Sequence, residues 1–432
     1  MNQVSLDSAE MGNFLQHIID NNRYLQKGGK KSVSTEVIGE SGLGKTTVVL
    51  DVAARNELQV VKLNLAQIEE LGDLVGFPVR QFELCSTSEV NVPIQAPKFE
   101  MKKILLPNGK EVLKKVEVKG PEVTATSNKC IWIDENAVDQ YIKQGYAFTG
   151  QKRMSYCPPE WIADKQGGGI LLLDDWNRAD IRFIQAVMEL VDRQEYISWK
   201  LPKDWHIILT ANPDDGNYMV NSIDNAQRTR FVSVNMKWSH DRWAEWAEKE
   251  SIDGRCINFV LMHPEVIQPE KGINPRSITT FFNCISSLPS FDAALPMIQM
   301  VGEGSVGGEI ATLFTSFIHN KLDKLITPRD ILLKTDETAV KKDLLGAISD
   351  GNNYRADIAS IMTTRLINFT LSYAEKNPIT PEILNRLSFL IKDTDIFTDD
   401  LKYHIVKKVL NGNKQKFSKL LFDSAVQEYA TK

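Results

Sequence analysis

Apolar positions along this chain form two kinds of run. In the first part they are short and nearly continuous. Ser32 to Ile38 and Gln59 to Leu65 are β-branched and apolar enough to predict strands, and Gly167 to Asp174 and Trp205 to Thr210 predict strands of the buried, parallel-sheet kind. Between them the spacing turns helical. Ile184, Val187, Met188 and Val191 predict a helix over 181–191. Short helices are also predicted within residues 1–31, from Lys45 onward and over 68–74. After Phe231 the strand signals fade, and residues 239–432 predict helices almost throughout. Ile383, Leu387, Leu390 and Ile391 share one helix face there, and Val406, Val409 and Leu410 begin another.

Residues 80–165 follow neither rhythm and predict an irregular insertion. One hairpin (101–120) stands out inside it. Ile104–Leu106 and Val112–Val118 flank Pro107-Asn108-Gly109-Lys110, and Asn-Gly is the strongest short hairpin signal. The hairpin carries Lys102, Lys103, Lys110, Lys114, Lys115 and Lys119 against Glu111 and Glu117. Such lysines blunt a solvated edge, or they could grip an acidic polypeptide or a nucleic-acid strand.

Composition narrows the class. The 432 residues are enough for two or three domains with their own cores. A hydrophobic content of 42% and a charged content of 25% exclude a largely disordered, collagen-like or membrane-embedded chain. With 51 basic and 56 acidic residues the net charge is -5, which supplies no general field for nucleic acid. Nucleic acid is therefore not the favoured partner. No uninterrupted apolar run reaches the length of a membrane span, and Met1 to Asp20 lacks the pattern of a signal peptide. Cys85, Cys130, Cys157, Cys256 and Cys284 are scattered and form no C-x-x-C pair. The expectation is a cytoplasmic protein with free thiols.

Three segments carry candidate chemistry. Gly39-Glu40-Ser41-Gly42-Leu43-Gly44-Lys45-Thr46 is a complete G-x-x-x-x-G-K-[ST] phosphate loop between a predicted strand and a predicted helix. Its glycines let the backbone, through Thr47, turn N–H groups toward phosphate oxygens at a helix N-terminus. Lys45 would reach the β- and γ-phosphates of ATP, and the Thr46 hydroxyl would ligate Mg2+. Next, the apolar strand Gly169–Leu173 ends in Asp174 and Asp175, at the edge where parallel sheets bind ligands. Asp174 would hold the magnesium, directly or through water, and Asp175 would polarise the attacking water. Finally, Ile207–Ala211 ends in Asn212-Pro213. Asn212 would position that water or sense the γ-phosphate, although Asn-Pro also reads as a turn.

In this order the three segments resemble those of an AAA+ ATPase, with Asn212 as sensor 1. Asp73-Leu74-Val75-Gly76-Phe77-Pro78 is similar to the DLvGlP segment of MoxR-type ATPases, of the helix-2-insert branch, and Leu172–Ala179 is similar to their LDExNRA. Asp224–Phe231 resembles that family's box ending in Arg-Phe. The resemblance implies that Arg230 is an arginine finger acting on a neighbouring subunit's nucleotide, with Arg228 as the rival. Pro275-Arg276-Ser277 resembles sensor 2, so that Arg276 would touch the γ-phosphate from a lid. Trp243–Ala247 and Pro158–Trp161 resemble segments of members encoded beside von Willebrand factor A partners. The likeness covers roughly residues 30–285.

The resemblance implies an α/β fold, a P-loop AAA+ αβα sandwich with a parallel sheet, followed by a helical lid. The final hundred or so residues resemble no known family, and their helical spacing predicts a helical C-terminal extension beyond a boundary near Thr327 to Thr338, which carries Pro328 and several charges. The chain is thus expected to divide into an N-terminal helical segment (1–31), a nucleotide domain (32–238) with the insertion 80–165, a lid (239–330) and the extension (331–432). The resemblance further implies a homo-oligomeric ring, a hexamer, in which ATP hydrolysis drives chaperone-like remodelling of a protein client such as a von Willebrand factor A protein; the alternatives are a nucleotide-gated scaffold with little turnover and a nucleic-acid-directed motor of a restriction or defence system. Arg193–Lys203 falls where the family has a pre-sensor hairpin, with Tyr196 and Trp199 expected to pack. One departure stands out. Asp175 replaces the family's Glu and is shorter by about 1.5 Å. Since a misplacement of about 1 Å can cost roughly 100-fold in rate, the expectation is either slow hydrolysis or a shifted water that compensates.

Overall fold

The computed structural model describes residues 4–93, 98–105, 111–118, 122–216, 218–268, 272–319, 325–350 and 353–431, with backbone alone over 88–127. The apolar runs become a parallel sheet of six strands: β1 (Ser5–Leu6), β2 (Ser34–Ile38), β3 (Gln59–Asn64), β4 (Gly169–Asp174), β5 (Trp205–Ala211) and β6 (Phe231–Met236), in the order β1-β6-β2-β5-β4-β3. β4 and β5 are buried along their whole length. On one face, Ile170, Leu172 and Ile208 pack beneath Val48, Val49 and Val52 of the helix Lys45–Arg55 and Met11, Leu15 and Ile19 of the helix Ser8–Lys27. Leu171 and Leu173 are equally buried but belong to the opposite face, as the two-residue strand period requires. This is the α/β sandwich with a parallel sheet expected from the sequence.

Two elements exceed the expectation. The N-terminal helix is 20 residues long rather than short, and it starts at a capping box between Asp7 and Glu10. Its polar exposed face hid its length. β6 was missed because Ser233 and Asn235 interrupt its apolar positions, and it pairs β2 on one side and β1 on the other.

Residues 68–166 together with 185–202 form a separate compact unit. The expected irregular insertion is corrected here. Phe77–Pro93 is the central strand of an antiparallel sheet, flanked by Glu122–Asp134 and Ala147–Cys157. Most of Ala147–Cys157 is exposed, so burial wrote no alternation into the sequence. The expected hairpin is present as Lys98–Leu105 paired with Glu111–Val118, with Ile104 opposite Val112. Its turn, Pro107–Lys110, and Lys119 lie outside the described residues. So do the side chains of Lys102, Lys103, Lys114 and Lys115.

The expectation of five free thiols is also corrected. Cys85 and Cys130 stand opposite one another in strand register and are joined in a disulfide, while Cys157, Cys256 and Cys284 are free. The pairing is made by register across 45 residues of sequence, which spacing alone does not reveal. Glu195–Tyr196 and Trp199–Lys200 form a small hairpin. There the Trp199 indole is buried and donates to the Val75 carbonyl at 2.9 Å, a packing role.

Helices dominate after β6. One cluster gathers Phe259, Phe281, Phe282, Phe314 and Phe317. Another, spanning 331–429, buries Ile383, Leu387, Leu390 and Ile391 beside Val406 and Val409. Arg365 of the second ties it to the first through Glu248 at 3.2 Å and Asn258 at 3.0 Å. Among the described residues, no helix is long and apolar enough to cross a membrane.

Candidate functional site

The strand order decides which side chains meet. β5 lies between β2 and β4, so Asn212, one residue past β5, falls between the phosphate loop that follows β2 and the acids that end β4. At the loop, Gly42 and Gly44 take φ of +81° and +89°, left-handed values that favour glycine. Gly44 caps the helix that Lys45 opens. The Lys45 side chain is buried and folds back over the loop. Its Nζ donates to the Gly39 carbonyl, to the Glu40 carbonyl at 3.1 Å and to Asn212 Oδ1 at 3.1 Å. Burial pulls the Lys45 pKa down to about 8, against the carboxylates of Asp175, Asp174 and Glu40.

Asn212 is held at both ends. Its side-chain Nδ2 donates to Asp175 Oδ1 at 3.1 Å, and its backbone N–H and carbonyl are clamped by the Asn177 side chain at 3.2 and 2.8 Å. It therefore bridges Lys45 and Asp175 directly. Asp175 itself sits at φ 51° and ψ 37°, a left-handed conformation that Asp tolerates better than most residues. Arg178 stands 3.7 Å from its carboxylate.

Asp174 accepts at Oδ1 from the Thr46 hydroxyl at 3.2 Å and the Thr210 hydroxyl at 2.5 Å. Its Oδ2 meets Lys62 Nζ at 2.7 Å. Burial alone would raise the Asp174 pKa, but the bonds from Lys62, Thr210 and Thr46 outweigh it and hold the carboxyl below its ordinary value. Asp174 and Thr46 are adjacent hard oxygen donors, the kind magnesium takes. Among the described residues, no group of three or more His, Cys, Asp or Glu side chains could hold a metal alone. A metal at Asp174 and Thr46 would need further oxygens from phosphate or water.

A cleft of about 500 Å³ opens over these groups and runs from the phosphate loop to Trp238, Arg242, Trp243 and Arg276. Asn274 caps the helix Pro275–Ile285 at its edge. A Cβ on Gly42 would come within 2.7 Å of Asn274 Oδ1 and 3.0 Å of Arg276 Cβ, so the helix start leaves no room above the loop for even a methyl group.

The structure thus gathers Ser41 to Thr47, Asp174, Asp175, Asn212 and Arg276 around one cleft. Arg228 and Arg230 do not line it. Both are exposed, with Arg230 donating to the Ala226 carbonyl at 3.1 Å and Arg228 to the Ile223 carbonyl at 3.2 Å. Several participants were not anticipated. Lys62 was legible only as a charge within the run Gln59 to Leu65, and Thr210 only as the polar end of the run Trp205 to Thr210. Tyr218 carried no signal, yet its hydroxyl donates to Glu40 Oε2 at 2.5 Å and accepts from the Ser41 N–H at 3.2 Å. Glu36 is buried within β2 and accepts from Trp176 at 2.9 Å and Ser233 at 2.6 Å.

No protein family and no curated protein sequence matches the chain. Among solved structures it is similar to the Holliday junction branch migration motor RuvB of Thermotoga maritima, at 11% identity and a TM-score of 0.31, over 76% of each chain. It is also similar to a provisionally assigned ATPase from Cytophaga hutchinsonii, at 12% identity and a TM-score of 0.30, over 94% of this chain and 90% of that one. The class of the fold rests instead on the strand order and the phosphate loop, which together define a P-loop α/β sandwich with a helical C-terminal region.

Proposed function

We propose that this protein is a MoxR-like AAA+ ATPase that binds ATP with magnesium, hydrolyses it, and uses the cycle as a ring to remodel or activate a protein partner. The observation that carries this reading is the bridge Lys45–Asn212–Asp175 beside Thr46 and Asp174. The loop N–H groups and Lys45 would take the phosphates. Thr46 and Asp174 would hold the magnesium, which when bound would neutralise charge building on the phosphate oxygens. Asp175 and Asn212 would orient water for in-line attack, and Arg276 would approach the γ-phosphate from the helical side. Arg230, exposed and outside its own cleft, is suited to act on a neighbour's. Phosphoryl transfer asks the protein mainly for positioning and charge stabilisation, and this constellation offers both. The test is particle mass with and without ATP, alongside phosphate release. A monomer that releases no phosphate under any condition would sink the reading.

A second reading, a nucleotide-gated scaffold with little turnover, is favoured by one observation: Asp175 is short and its backbone is left-handed. Hydrolysis by Asp175→Glu alone, with an inert wild type, would select it.

A further inference from the structure

Lys62 belongs to none of the motifs, yet it makes the closest charge contact on the acid proposed to hold the metal. It sits on the edge strand β3 opposite Leu172 of β4, while Asn64 stands opposite Asp174. The two-residue offset puts the Lys62 side chain on the same strand face as Asn64, and its stem runs toward the end of the sheet. Its Nζ reaches Asp174 Oδ2 at 2.7 Å, whereas Thr46 and Thr210 engage only Oδ1. The side chain is 45% exposed, so it has open water into which it can withdraw. Both carboxylate oxygens of Asp174 are therefore already engaged, Oδ1 by two hydroxyls and Oδ2 by this ammonium.

We propose that Lys62 is a built-in competitor for the divalent ion at Asp174. It neutralises the carboxylate until a metal arrives together with phosphate oxygens, and then swings out to solvent. Free magnesium then gains little from Asp174 and Thr46, because it must displace a cation already at bonding distance. A metal carried by a nucleotide brings its own phosphate ligands and overcomes that barrier. Lys62 thereby sets the order of loading, with nucleotide and metal entering together. This inference rests on the magnesium–nucleotide reading of the site.

The experiment measures Mn2+ binding to the purified full chain without nucleotide, by electron paramagnetic resonance. Removing one partly exposed ion-pair partner, as in Lys62→Met, is expected to tighten Mn2+ binding by up to about fivefold. Lys62→Arg, which keeps the charge, should behave as wild type. Adding Asp174→Asn to Lys62→Met should abolish the gain. Equal Mn2+ affinity in wild type and Lys62→Met would overturn the proposal, as would a gain that survives Asp174→Asn. Binding of a fluorescent ADP in magnesium buffer is followed separately. Its absence would sink the nucleotide reading, while the Mn2+ series decides the role of Lys62 by itself.

Discussion

The edge of the parallel sheet and the antiparallel unit of residues 68–166 and 185–202 spend their polar groups differently. At the sheet edge, Lys45, Asp174, Asp175 and Asn212 are buried or half-buried, and each is bonded to side chains or carbonyls from another segment. In the antiparallel unit, the described cross-strand side-chain contacts lie in the open. Gln81 donates to Asp134 at 2.8 Å, Arg153 donates to Gln81 at 2.9 Å, and the Arg153 guanidinium lies 4.5 Å from the Trp132 ring centre. Such cross-strand pairs are each worth only about 0.2–1 kcal/mol. A buried polar constellation is costly unless every member is satisfied. The first region is thus built to hold a geometry, and the second to present a surface.

The largest effect that could break this contrast is at Arg230. If the sheet edge is only half of a composite site, Arg230→Ala should leave ATP binding intact and lower turnover by roughly 10³–10⁵-fold. Equal phosphate release from wild type and variant would remove Arg230 from the site. A smaller effect belongs to the antiparallel unit. Replacing Cys85 and Cys130 by Ser should destabilise that unit by about 2–4 kcal/mol, seen as faster hydrogen exchange over 77–93 and 122–134. Exchange in β4 and β5 should stay unchanged, and a uniform loss of protection across both regions would show that they unfold as one.

The smallest effect is at Glu36. Burial pushes its carboxyl above the ordinary value of 4.5, against the bonds from Ser233 and Trp176. Between 4.5 and the raised value the native state keeps a proton that the unfolded chain has shed. Its contribution to stability is therefore fully present below that window and is lost as the pH rises through it. Glu36→Gln should flatten the melting-temperature profile across this range. An unchanged slope would mean that Glu36 does not titrate with folding.

The same contrast explains what could be read from the sequence. β4 and β5 were plain because burial on both faces leaves unbroken apolar runs, and the phosphate loop was plain because only glycines serve its left-handed turns. Lys45, Asp174, Asp175 and Asn212 followed from standing at the ends of those runs. Lys62, Tyr218 and Glu36 were not legible, because their roles depend on which strands lie side by side and on where a loop returns. The antiparallel strands and the Cys85–Cys130 bond were hidden for a related reason. Register pairs those residues, and exposed strands carry little alternation to announce it.

The contact between Gly42 and the start of the helix Pro275–Ile285 has a mechanical consequence. A side chain on Gly42 would need space that Asn274 and Arg276 already fill, so a single methyl group, as in Gly42→Ala, would act as a wedge between the loop and the helix start.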